Sequence, residues 1–161
     1  MSQDAVAEVV SRARAWTLLG ELILKGVSSE VYPVVTQLPV FAALIPPETS
    51  ADQLGAEHQR VFGFEVFPFE SVFLGEDGKL GGRVTESVSA AYEQSGFPGR
   101  RSDVESDHLG IQCAFLGSLS AREAKVLELG GADLDQITAA QRQFLDGHLL
   151  AWLPAMVAAV R

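Results

Sequence analysis

The sequence predicts an all-α, single-domain helical bundle. Three observations carry that expectation. Apolar residues recur at helical spacing along most of the chain, helix start and stop residues fall between the stripes, and no run alternates in the strand manner.

The first helix is expected over Ala5 to Lys25, where Val6, Val9, Val10, Ala13, Trp16, Leu19, Leu22 and Ile23 share one face. Gly26 ends it, because glycine accepts the left-handed conformation that closes a helix. Ser28 or Ser29 caps a short second helix toward Leu38, with Pro33 tolerated near its first turn, and Pro46-Pro47 breaks the chain. Ser50 with Gln53 reads as a capping box for a helix running to about Phe62. The stretch from Gly63 to Phe73 is aromatic-rich, broken by Pro68 and expected to be irregular; Gly75-Glu76-Asp77-Gly78 is a turn.

Val84, Val88, Ala91 and Tyr92 mark a further helix that stops at Gly96. A polar loop follows from Arg100 to Ser106. From near Ser106 to about Leu119 the sequence is apolar all round, as a central helix should be. Ser120 with Glu123 predicts a fresh helix start, and Asp133 with Gln136 another. The last helix carries Ile137, Phe144, Leu145, His148, Leu149 and Trp152, and Pro154 kinks it or opens a final short one. No linker or internal repeat divides the chain, so residues 1–161 are read as one domain.

Composition narrows the function. Hydrophobic residues make up 47% of 161 and charged residues 20%, which suits a globular chain with a substantial core. The formal net charge of −9 and the lack of a basic patch argue against nucleic acid. A single cysteine, Cys113, permits neither an intramolecular disulfide nor a cysteine-based zinc site, which fits a reducing compartment. The start lacks a secretory pattern, Val31 to Pro47 is interrupted by four prolines, and Leu149 to Val160 is too short to span a bilayer. A cytoplasmic protein with no membrane insertion is the expectation.

Few residues can carry chemistry. His58 and His148 lie on apolar helix faces, where a hydrogen-bonded core histidine is the default. His108 follows Asp107 at the start of a helix, beside Asp103 and Glu105. One reading of this group is a plain helix cap. The other is an anionic lip of Asp103, Glu105, Asp107 and His108 that accepts guanidinium groups. Phe64, Phe67, Phe69 and Phe73 would supply an adjoining apolar wall for a bound segment. Glu105-x-x-His108 has the spacing of a di-iron ligand pair but no second copy. Nucleophile-elbow, phosphate-loop and dinucleotide motifs are absent from the sequence. Cys113 falls inside the central helix and reads as a small buried apolar group. The sequence therefore points to a polypeptide-binding protein, not an enzyme, with no cofactor expected. The rival is a metal-dependent or acid–base enzyme built on His58, His108 and His148.

Several segments, taken in order, resemble the TorD/DmsD/NarJ family of molybdoenzyme assembly chaperones. They are Arg14 to Leu22, Glu57 to Phe62, Pro68-Phe69-Glu70-Ser71-Val72-Phe73, Asp103 to Leu109, Phe115-Leu116, and Phe144 to Pro154. The resemblance implies an all-helical chaperone that binds the N-terminal, twin-arginine-type segment of a molybdopterin oxidoreductase catalytic subunit. It would assist cofactor insertion before export. The family's Pro-Asp-His element maps onto Ser106-Asp107-His108, with serine in place of proline, and its Pro-x-Glu-Ser element includes Ser71. A monomer and a homodimer both remain open, as do direct contact with molybdopterin or a guanine nucleotide and the client's identity.

Overall fold

A computed structural model describes residues 3–98 and 104–160 of the chain. Among these residues the regular elements are helices, and extended pairing is confined to one isolated antiparallel bridge, Phe69 to His108. The elements are α1 (Gln3–Lys25), α2 (Tyr32–Gln37), α3 (Pro39–Ala42), α4 (Ala51–Arg60), α5 (Glu70–Leu74), α6 (Arg83–Gln94), α7 (Leu109–Leu129), α8 (Leu134–Phe144) and α9 (Leu150–Val160). The all-α class expected from the periodicity is what the chain adopts.

Local signals explain many of the boundaries. Gly26, at φ +72°, terminates α1. Ser50 accepts from the Gln53 amide while the Gln53 side chain accepts from the Ser50 amide, so the predicted capping box is complete. Pro33 and Pro39 sit in the first turns of α2 and α3, where a missing amide hydrogen costs nothing.

The centre of the bundle is α7. Leu109 to Gly117 are buried apart from half-buried Ala114, and Phe115, Leu116 and Leu119 join Val88, Tyr92, Phe144, Leu149 and Trp152 in the core. Rings stack through it, with centroids 4.7 Å apart for Tyr92–Phe115 and 4.6 Å for Phe115–Phe144. Helix α1 packs antiparallel against α7, Gly20 meeting Gly110 and Ala13 meeting Gly117. A Cβ added to Gly20 would lie 2.8 Å from the Gly110 carbonyl oxygen, and one on Gly117 would lie 2.9 Å from the Thr17 hydroxyl. Missing side chains thus let two long helices touch backbone to backbone.

Three expectations are corrected. The central helix does not stop at Leu119: α7 runs unbroken to Leu129. Ser120 and Glu123, read as a new cap, are buried in mid-helix and spend their side chains on other helices. Ser120 Oγ donates to Gln141 Oε1 at 3.0 Å, while Gln141 Nε2 and the Arg12 guanidinium both donate to Glu123 Oε2. Asp133 precedes α8 without a side-chain cap bond. The Gly63–Phe73 stretch is more ordered than expected, with a π turn over Val61–Glu65 that continues α4, extended residues, and then α5.

The C-terminal region is also more continuous than the sequence suggests. A π turn at Leu145–Leu149 joins α8 to α9, and Pro154 lies inside α9. The resulting stretch, Leu134–Val160, has 27 residues, and an 18-residue window within it reaches a mean hydropathy of 1.2, long and apolar enough by length and composition to cross a membrane. In this fold its Ile137, Phe144, Leu149, Trp152 and Met156 are buried in the core.

The α1–α7 crossing should be intolerant of bulk. Gly20→Val, which presses a branched side chain onto the Gly110 carbonyl, is expected to destabilise the fold by about 1–3 kcal/mol in denaturant titration. Gly96→Ala, whose Cβ meets nothing, should cost only the strain of its φ of +67°.

Candidate functional site

The residues from Pro68 to Ser71 lie against Ser106 to Leu109, and the two segments fasten one another. Helix α5 begins at Glu70 after Phe69, which has no side chain able to cap it. Asp107 supplies the missing acceptor from 36 residues away: its Oδ2 accepts from the Ser71 amide at 2.8 Å and its carbonyl accepts from the Glu70 amide at 3.1 Å. In return, the Pro68 carbonyl accepts from the Leu109 amide at 2.8 Å, at the first residue of α7. His108 is the N-cap of α7, its Nδ1 accepting from the Gly110 amide at 3.0 Å while Phe69 stacks edge-on at 4.8 Å. Ser106 is held by Ser89, the Thr85 carbonyl and the Tyr92 hydroxyl.

Behind this clasp lies a buried polar chain. Glu70, only 2% exposed, takes Gln112 Nε2 on one carboxylate oxygen and His148 Nδ1 at 2.9 Å on the other. Gln112 Oε1 then accepts from the Trp152 indole at 3.3 Å. The chain ties α5 to α7, to the π turn before α9 and to α9 itself. A buried carboxylate is costly unless it is paired and hydrogen-bonded, and both oxygens of Glu70 are used.

Asp107 differs. It is fully buried, and its Oδ1 has no hydrogen-bond partner within the protein; Thr85 Oγ1 is in the same position. An orphaned buried carboxylate oxygen is unusual in a settled structure and marks this position as special.

Burial lowers the His108 pKa to about 4, with the Asp107 charge opposing the shift and His58 adding to it. The imidazole is thus neutral at physiological pH, as its acceptor role toward Gly110 requires. Burial also raises Tyr92 well above its usual range, helped by Glu70 and Asp107, and pushes the Cys113 thiol up to about 12.

Comparison with known proteins now bears on this geometry. Residues 29–158 match the nitrate reductase delta subunit family. The chain belongs to that family, the TorD/NarJ family. Among its relatives is the chaperone protein TorD of Aeromonas salmonicida, 33% identical over 138 residues, or 80% of this chain and 58% of the relative. The TorD proteins of Photobacterium profundum and Vibrio vulnificus are each 28% identical over 91 residues, 56% of this chain and 41% of the relative. The chain thus spans about half the length of these curated relatives. No solved structure matches it.

Seen as a TorD/NarJ-family chain, the residues singled out in the sequence fall into distinct groups. Asp103 lies outside the described residues. Glu105 is exposed, whereas Asp107 and His108 are buried. Of the phenylalanines, Phe64 and Phe67 point outward at 74% and 52% exposure, Phe69 is half-buried on His108, and Phe73 lies 5.4 Å from the Trp152 ring. Ser71 is fully buried, its hydroxyl accepting from the Gly81 amide. The three histidines are not gathered into one centre. His58 Nε2 lies 2.9 Å from the Ile23 carbonyl oxygen, His108 caps α7, and His148 faces Glu70. Among the described residues no three His, Cys, Asp or Glu side chains cluster as a metal site would require. Sequence reasoning left out Glu70, Gln112 and Trp152 as a unit. A carboxylate within an aromatic stretch was the available sign for Glu70; a lone glutamine on an all-apolar helix was the sign for Gln112.

Two outcomes follow. The His108 pKa is depressed, so this group's stabilising effect is complete above pH 6.5 and is lost as pH falls toward 4, by up to about 3 kcal/mol. His108→Asn keeps a cap but cannot titrate there, and should flatten unfolding free energy measured between those pH values. Cys113 should resist iodoacetamide at mildly alkaline pH in the folded protein and react on unfolding, read by mass spectrometry.

Proposed function

We propose that this chain is a cytoplasmic chaperone for a molybdopterin oxidoreductase. As a single all-helical domain, it would bind the N-terminal, twin-arginine-type segment of the catalytic subunit and assist assembly before export. It has no catalytic role in this reading, and functions as a monomer or homodimer. Membership of a family that includes the TorD chaperones supports the class of activity.

The observation that carries the site is the pairing of two outward phenylalanines with a clasped acidic segment. Phe64 and Phe67 offer apolar surface immediately before Pro68, and the backbone that presents Phe67 is fixed to Asp107 through Ser71 and Glu70. A client segment that is cationic and then apolar meets complementary chemistry there. Exposed Glu105, with Asp103, attracts its basic residues, and Phe64 and Phe67 contact its apolar part. Asp107, His108, Ser71, Phe69 and Phe73 hold that surface in shape, and the unshared Asp107 Oδ1 is available to a guanidinium donor if the clasp opens.

The test is calorimetric titration with the N-terminal peptide of the molybdoenzyme encoded nearest the gene, beside a copy with both arginines changed to alanine. Micromolar or tighter binding is expected, weakened by the arginine change and by added salt. Phe64→Ser with Phe67→Ser should weaken it at least tenfold at unchanged melting temperature, since both side chains are exposed. Asp107→Asn separates charge from structure, because the amide oxygen still accepts from Ser71. If the double phenylalanine variant binds as the wild type does, this segment is not the client surface.

A further inference from the structure

Among the described residues, Asp107 Oδ1 and Thr85 Oγ1 are the buried side-chain atoms that find no hydrogen-bond partner within the protein. They share one neighbourhood. Thr85 lies in the first turn of α6, and its carbonyl accepts from the Ser106 hydroxyl at 3.3 Å; Asp107 is the residue after Ser106. Thr85, Ser89 and Tyr92 are spaced i, i+4 and i+7, and so form one stripe of α6 beside this segment. Ser89 Oγ lies 2.7 Å from Ser106 Oγ, and the Tyr92 hydroxyl donates to the Ser106 carbonyl at 2.9 Å. Of the three hydroxyls on the stripe, only that of Thr85 is left over.

Both atoms depart from how this chain treats others of their kind. The other helical threonines, Thr17, Thr36 and Thr138, each donate to the carbonyl four residues back. For Thr85 that residue is Gly81, which lies ahead of the Gly82 N-cap and outside the helix. The other buried carboxylates are met by side-chain donors, Glu70 by Gln112 and His148, and Glu123 by Gln141 and Arg12. Asp107 receives only the Ser71 amide, on Oδ2. A carboxylate oxygen and a hydroxyl are thus left on either side of the same serine, and they do not bond each other. Burying either one without a partner is costly.

We propose that one ordered water molecule binds between Asp107 Oδ1 and Thr85 Oγ1. A water satisfies both at once, donating a hydrogen to the carboxylate and accepting the one on the hydroxyl. Two such partners are enough to hold an interior water. Asp107 is fully buried while Thr85 keeps 8% exposure, so the site lies just beneath the surface at the start of α6. The water extends the clasp, because Asp107 already joins α5 to the start of α7 and the bridge adds α6. It belongs to the folded chain by itself and does not depend on the client-binding surface proposed above.

Crystals of the wild-type chain should show a solvent peak about 2.7 Å from both oxygens. In solution, oxygen-17 relaxation dispersion should count one fewer long-lived internal water in Thr85→Val than in the wild type, whereas Thr85→Ser, which keeps the hydroxyl, should retain it. Valine matches threonine in shape, so the sign of its effect in denaturant titration is decisive. With the bridge in place, Thr85→Val lowers the folding equilibrium constant about tenfold. A neutral or stabilising Thr85→Val would overturn the proposal, since the hydroxyl would then have had no partner to lose. No solvent peak, or an unchanged count of internal waters, would overturn it as well. So would an anomalous signal at that point from crystals soaked in rubidium chloride, because the occupant would then be a monovalent cation.

Discussion

Asp107 is the residue on which the arrangement of this molecule turns, because a helix here begins where its own sequence offers no cap. The Phe69 carbonyl accepts from the Val72 amide, but its side chain can accept nothing from the Glu70 and Ser71 amides, and a helix end buried without acceptors would leave amides unsatisfied. Asp107 contributes a carboxylate oxygen to Ser71 and a carbonyl to Glu70, and Pro68 returns an acceptor to the start of α7. A hydrogen bond to a charged group contributes about 1.5–3 kcal/mol, and orphaning its buried partner costs a similar amount. The rest follows from that clasp. Once α5 is pinned there, Glu70 must point into the core, and Gln112 and His148 are what make a buried carboxylate tolerable at that place. Trp152 then completes the hydrogen bonding of Gln112 and draws α9 onto the bundle.

A second constraint acts at the other side of α7. Close approach of α1 depends on Gly20, Gly110 and Gly117, but glycine contacts fix distance and not direction. Direction comes from Glu123, which Arg12 and Gln141 address from α1 and α8. The two faces of α7 thus follow one design. Each carries a buried acid–amide pair, Glu70 with Gln112 and Glu123 with Gln141, that ties a neighbouring helix to the central one. Such polar chains select a single packing among the many that an all-apolar helix would permit.

This also explains what was legible in the sequence. Stripes of apolar residues report burial directly, so the helices were readable, and the capping box at Ser50 was readable because both its members are local. The same pattern at Ser120 and Glu123 misled because local spacing cannot distinguish a cap from two polar groups whose partners lie on other helices. Asp107 was recognisable as a helix-start residue. That it serves the start of a different helix depends on a contact across 36 positions, which periodicity does not encode. For its neighbour His108 the sequence left a helix cap and an anionic lip both open, and the cap is what forms: the ring is buried and Nδ1 accepts from the Gly110 amide.

The aromatic segment resolves by the same logic. Ahead of α5 the backbone is extended at Val66 and at Phe69, and alternate residues of an extended chain face opposite ways. Val66, Pro68 and Glu70 are buried, which sends Phe67 outward, while Phe69 is recovered by the ring of His108. Phe67 is therefore exposed as a consequence of how firmly its neighbours are held, and not because the loop is loose. A large apolar side chain displayed from a fastened backbone loses little conformational freedom when something packs against it. The interactions that stabilise the bundle at Asp107 and the readiness of the Phe64–Phe67 surface to receive a partner are two results of one set of hydrogen bonds.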